Sequence, residues 1–246
     1  MSGVATATLL LRLAGPMQSW GLDSRFDQRD TGLEPSKSGV LGIVCAALGK
    51  PRDEEEGGVW PSLAQLACLR MGVRVLREGT LRVDYQTAGG GAFPGRKSYG
   101  VWKASGSSGA TVVSPRHYLA DADFLVGLEG PLGLLRQIEA ALSSPVWPLS
   151  LGRKSYVPGQ PILFSPDQSE SPAVREMGLE DALSSFEEPP HEERRRTLDD
   201  PARQRLVLEA ALESTVERRQ DVPLSFRDRT FAVRGVRTSW LEMAHE

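Results

Sequence analysis

The spacing of apolar residues changes period several times along the chain, and each change marks an element. Residues 9–13 (LLLRL) are apolar except for Arg12, which predicts a central strand, and GPMQSWG after it gives a tight polar turn. Val40, Ile43, Val44, Ala47 and Leu48 then recur at helical spacing. Ser36 or Ser38 caps the start of that helix, and Gly49 followed by Pro51 closes it. Met71, Val73 and Val75 alternate with Arg70, Gly72 and Arg74, and Leu81, Val83 and Tyr85 repeat the alternation after a turn at Glu78-Gly79. These predict two strands of a hairpin. A further strand over 124–128 (FLVGL) leads into a helix starting at Pro131. Its stripe is Leu134, Leu135, Ile138, Ala141 and Leu142, and it ends before Ser143-Ser144-Pro145.

The order strand, helix, two strands, strand, helix fits a ferredoxin-like α+β layer, the architecture of RNA-recognition modules. Residues 165–203 are acidic, polar and broken by prolines, which predicts a long loop. Beyond it LVLEAAL fits either strand or helix, and PLSFRDRTFAVRGV suggests two short strands. The expectation is a domain over 1–150 followed by a small β-rich subdomain over 151–246.

A chain of 246 residues with 40% hydrophobic content can bury an ordinary core. No apolar run approaches a bilayer span and Arg12 interrupts the N-terminal one, so the chain is expected to be cytoplasmic, with no membrane partner. Cys45 and Cys68 show no paired spacing and read as core thiols. The net charge of −3 hides an uneven distribution. Residues 53–56 contribute −4 and residues 167–193 hold nine acids against Arg175, leaving 19 acids and 28 bases, a net +9, elsewhere. A basic body of this kind accepts a polyanion.

Candidate binding chemistry falls in three places. The helix start carries Lys37 and free N–H groups, which favour a phosphate. Residues 87–115 combine glycine and serine with Arg96, Lys97, Tyr99, Trp102 and Lys103, so cations can track phosphates while rings stack on bases. The pentapeptide GRKSY occurs twice, at 95–99 and 152–156, each copy offering a flexible backbone, two cations, a hydroxyl and a ring. The stretch GGGAFPGRKS approaches a phosphate-binding loop, but Arg96 stands where that motif needs lysine and no suitable strand and helix flank it, which argues against a nucleotide triphosphatase. Neither a carboxylate cluster nor a His/Cys spacing points to a metal, and no cofactor is expected. His117, in SPRHYLADADF, leaves one catalytic alternative open. With Lys97, Lys103 or Tyr99 it makes the elements of a metal-independent ribonuclease.

Taken jointly, LLLRLAGPMQSWG at 9–21, RDTGLEPSKSGVLGIVCAALG at 29–49, DYQTAGG at 84–90, RHYLADADFLVGL at 116–128 and LSLGRKSYVPGQPI at 149–162 resemble the CasD family over nearly the whole length. That family belongs to the RAMP superfamily and serves the type I-E CRISPR Cascade, where it holds the 5′ handle of CRISPR RNA. The resemblance implies a ferredoxin-like domain with a β-hairpin thumb inserted at about 87–115. It also implies a non-catalytic role, with the Cascade backbone and large subunits as partners and target DNA reached only through the assembled complex. By the same resemblance Gln18, Trp20, Lys37, Ser38, Arg116, Tyr118, Arg153, Lys154 and Ser155 line the path of the RNA, joined by Arg96, Lys97 and Lys103 on the thumb. The family often shows DYHT where this chain has Asp84-Tyr85-Gln86-Thr87, and the missing histidine argues against RNA cleavage.

Overall fold

A nine-residue apolar strand is stable only where both its faces are covered, and the N-terminal strand is placed that way. In the computed structural model, which describes residues 6–21, 29–53, 58–89, 111–163, 173–186, 203–213 and 216–242, this strand is buried beyond its first residue. The elements run β1 (Thr6–Ala14), β2 (Met17–Gln18), α1 (Lys37–Leu48), α2 (Leu63–Ala67), β3 (Arg70–Arg77), β4 (Thr80–Ala88) and β5 (Val112–Ala120). They continue with β6 (Asp123–Pro131), α3 (Leu132–Ser143), β7 (Val174–Arg175), α4 (Leu179–Ser184), β8 (Arg203–Ala210), β9 (Glu217–Ser225) and β10 (Thr230–Glu242). Seven strands form one antiparallel sheet in the order β7-β1-β6-β3-β8-β10-β9, and β2-β5-β4 form a second.

Alternate residues of β1 feed two cores. Leu9, Leu11 and Leu13 pack with Val40, Val44, Leu135 and Ile138 of α1 and α3, while Leu10 points the other way to Leu125, Leu179 and Leu183. Arg12 lies on this second face and is neutralised in the interior by a two-pronged pair with Asp123 of β6, at 3.2 and 2.7 Å.

The expected loop over 165–203 is corrected at its centre. Residues 174–184 form β7 and α4, because Leu179, Ala182, Leu183 and Phe186 recur at helical spacing and are buried against the sheet despite the acidic composition around them. The C-terminal region contributes β8, β9 and β10. They extend the N-terminal sheet instead of building their own, since β8 pairs with β3 through Gly72↔Leu208, Val73↔Val207 and Arg74↔Leu206. The segment LVLEAAL resolves as strand, in β8. Cys45 is buried as expected, but Cys68 is exposed at the end of α2. Strands β4 and β5 flank the predicted excursion and pair over nine positions, from Thr80↔Ala120 to Ala88↔Val112. Residues 90–110, with Arg96, Lys97, Lys103 and the first GRKSY, lie outside the described residues.

Candidate nucleic-acid interface

The small sheet supplies the platform. Along β5 alternate side chains face opposite ways, so Arg116 and Tyr118 share one face while His117 takes the other, across from Val83. A strap at Arg29 lies along the edge of β5, with the Arg29 N–H donating to the Pro115 carbonyl at 3.4 Å and the His117 N–H donating to the Arg29 carbonyl at 2.8 Å. This bridge is parallel and pairs Arg29 with Arg116, which puts both side chains on the same face. The strap is fixed from beneath, because the Trp20 N–H donates to Thr31 Oγ1 and the Gly32 N–H donates to the Trp20 carbonyl, both at 2.9 Å.

The second GRKSY reaches the same place from a third segment. Its turn is closed by Leu151 N–H to the Tyr156 carbonyl (2.7 Å) and Tyr156 N–H to the Arg153 carbonyl (2.9 Å). The Arg153 guanidinium lies over the Tyr156 ring, donates to the Tyr156 hydroxyl at 2.8 Å, and donates to the Arg29 carbonyl at 3.1 Å. Tyr156 in turn meets the ring of Tyr118, with centroids 6.0 Å apart. Lys154 and Ser155 are exposed at the tip of this turn. Among the described residues, Arg116 Nε is the buried side-chain polar atom with no hydrogen-bond partner. An unpaired buried donor costs about 1–3 kcal/mol.

The arrangement thus brings Arg29, Arg116 and Arg153 together beside the half-buried Tyr118, above the buried ring of Tyr156, with Lys154 exposed at the tip of the 152–156 turn, all drawn from residues far apart in sequence. Such a rim can hold phosphates at several points. The family described as CRISPR-associated protein (Cas_Cas5) matches residues 8–237. The chain belongs to the Cas5/CasD family. It is 32% identical over 171 residues to the CRISPR system Cascade subunit CasD of Escherichia coli (strain K12), covering 67% of this chain and 73% of that one. A solved structure titled "CRISPR RNA-guided surveillance complex" contains a chain 35% identical to this one, at a TM-score of 0.72 over 96% of this chain and 90% of the other. A second, "Crystal structure of Cas protein", is 38% identical at a TM-score of 0.66, over 96% and 95% respectively.

Other residues that the family resemblance points to sit under the site, not in it. Gln18 is fully buried, its amide donating to the carbonyls of Leu13 (2.9 Å) and Ala122 (2.7 Å), and its oxygen accepts from Trp20 Nε1 at 3.2 Å. Trp20, 1% exposed, packs so closely on α1 that a Cβ at Gly39 would come within 2.9 Å of its ring. Both hold the strap and helix together. Ser36 is the cap of α1, accepting from the Gly39 N–H, and the half-buried Ser38 sits beside it with the two hydroxyl oxygens 3.4 Å apart.

Lys37 is the clearest correction. Its side chain is buried and its Nζ reaches both oxygens of Glu209, at 3.0 and 2.9 Å, while its own N–H donates to Asp221 at 2.8 Å. Glu209 comes from β8 and Asp221 from β9, so the anion expected at the helix start is the chain's own carboxylate. Arg234 completes the arrangement with bonds of 2.7 and 2.9 Å to Asp221. Burial lowers the Lys37 pKa despite Glu209, and although burial works against the Asp221 carboxylate, the hydrogen bonds from Arg234 hold its pKa below the usual range. Nearby, Glu34 pairs with Arg205 and Arg219, which ties the approach to α1 to the C-terminal strands.

Arg29 was the residue that sequence reasoning passed over. It opens the family segment RDTGLEPSKSG, yet nothing in a single exposed arginine foretells that its backbone bridges β5.

Proposed function

We propose that this chain is a non-catalytic CRISPR RNA-binding subunit of a type I-E Cascade surveillance complex, gripping the repeat-derived 5′ handle of the RNA. The observation that carries the reading is the convergence of Arg29, Arg116 and Arg153 beside Tyr118 at the edge of the small sheet, with the exposed Lys154 on the turn that Arg153 anchors there. Phosphate contacts supply affinity, and the partly exposed ring of Tyr118 is the one on this face that a base can meet. The family relatives support the setting, in which this subunit caps the backbone filament, meets the large subunit, and touches target DNA only as part of the assembly. The strand order β7-β1-β6-β3, with α1 and α3 against one face, supports a ferredoxin-like RAMP domain. The pairing of β4 with β5 supports a thumb built outward from them.

The ribonuclease alternative asks His117 to act beside the cations. His117 faces the side of β5 opposite to Arg116 and Tyr118, across from the apolar Val83, so a phosphate held by the arginines would lie on the wrong side of the strand for it. The test is to incubate purified protein with repeat RNA in chelator, and to sequence any RNA that co-purifies. Binding of the repeat-derived 5′ end without cleavage is the expected result. Specific cleavage abolished by His117→Ala would overturn it.

A further inference from the structure

The Arg153 guanidinium is committed within the chain. One terminal nitrogen donates to the Tyr156 hydroxyl, the other to the Arg29 carbonyl, and the guanidinium carbon lies over the Tyr156 ring, 5.4 Å from its centre. Tyr156 itself is 3% exposed, and a buried phenol needs a partner for its oxygen, which Arg153 provides. The carbonyl it takes hold of is the same one that receives the His117 N–H and fixes the strap to β5. A bidentate, stacked arginine of this kind is a structural clamp that lysine cannot imitate, since an ammonium lacks both the fork and the flat face.

We propose that Arg153 is a positioning residue and not a phosphate contact: it braces the 152–156 turn against the strap and thereby sets Arg29 beside Arg116, leaving Lys154 as the cation of that turn that meets the RNA. The inference rests on the RNA-binding reading above. It divides the two cations of GRKSY into a brace and a contact, a division that composition alone does not make. Its energetic logic is preorganisation: the strap's ordering is settled before the RNA arrives, and each phosphate contact on it then costs less to form.

Two measurements on the full chain decide it. The first is the salt dependence of binding to a short single-stranded RNA of the repeat-derived 5′ end. Lys154→Ala should lower the slope of log K against log salt by about 0.7, the value of one lost phosphate contact on a single strand. Tyr156→Phe should leave the slope unchanged and weaken binding about 5-fold, the worth of one hydrogen bond. Arg153→Lys should bind as poorly as Arg153→Ala. If Arg153→Lys instead binds like the wild type and Tyr156→Phe is silent, Arg153 is a direct contact and the proposal falls.

The second measurement needs no RNA. The His117 amide, whose acceptor is the Arg29 carbonyl, should exchange with solvent faster in Arg153→Ala, with Tyr156→Phe between it and the wild type. Unchanged exchange overturns the brace whatever the RNA data show. If Arg29→Ala and Lys154→Ala both leave RNA affinity intact, the binding reading fails, and the exchange result still judges the brace by itself.

Discussion

Gly152 carries more of the site than any of its charged neighbours suggest. Its φ is +93°, and a Cβ there would sit 1.8 Å from the Ser19 carbonyl oxygen, whose own N–H donates to the Leu151 carbonyl. Substitution by alanine must therefore move the turn off the Ser19 segment, and since Arg153 follows directly, the brace moves with it. Gly152→Ala is expected to destabilise the protein by about 2 kcal/mol or more, a combination of backbone strain and clash, read as a lower urea midpoint. A midpoint equal to wild type would show that the turn has room to spare. In the sequence the glycine of GRKSY reads as flexibility, and the structure makes it a point of close approach. Local chemistry was legible where partners are local, as with the Ser36 cap and the Gly49 close of α1. It was not legible where the partner lies over a hundred residues away, as with the Arg29 carbonyl and Arg153.

At the scale of elements, the start of α1 is where sequence reasoning and structure agree on physics and differ on the occupant. An exposed helix start invites an anion, and Asp221 of β9 fills that role with Arg234 and Glu209 around it. The network is buried, so breaking it on one side leaves Arg234 without its closest counter-charge. Asp221→Asn should cost about 3–5 kcal/mol at neutral pH. The pH dependence has a definite sign. The folded state holds the Asp221 pKa below its ordinary value of 3.8, so its contribution is complete above that value and is lost as pH falls through the lower folded value. Urea unfolding of wild type and Asp221→Asn should therefore differ most near pH 6 and converge on acidification below about 3.8. A gap that stays constant with pH would assign the loss to packing and not to charge. Among the elements themselves, α1, α3 and the strands of regular alternation were readable because one face of each is apolar at a fixed period. The helix α4 was not, because its short stripe of Leu179, Ala182 and Leu183 is submerged in an acidic segment too brief for periodicity to stand out.

Across the whole molecule, the consequence of that hidden helix is that residues 1–150 lack a finished core of their own. Leu10 of β1 and Leu125 of β6 are fully buried, and what buries them is Leu179, Leu183 and Leu206, all from beyond residue 150. Strand β3 is flanked by β6 and β8, and without β8 its Gly72–Arg74 backbone becomes an open sheet edge. Lys37 would lose both Glu209 and Asp221, and Arg74, which donates to the carbonyls of Leu183 and Phe186 at 2.9 Å each, would exchange these acceptors for water. Two leucines returned to water cost about 1.5–3 kcal/mol each, and the lost hydrogen bonds add to that, against a total stability that is commonly about 5–15 kcal/mol. A chain cut after residue 150 is accordingly expected to melt without a cooperative transition and to be digested by protease under conditions where the full chain survives. Adding residues 151–246 in trans should restore the transition, since they bring β8, α4 and both carboxylates together. A sharp melt of the isolated 1–150 segment would mean that the second face of the sheet contributes little, and that the C-terminal strands serve the surface of the molecule and not its stability.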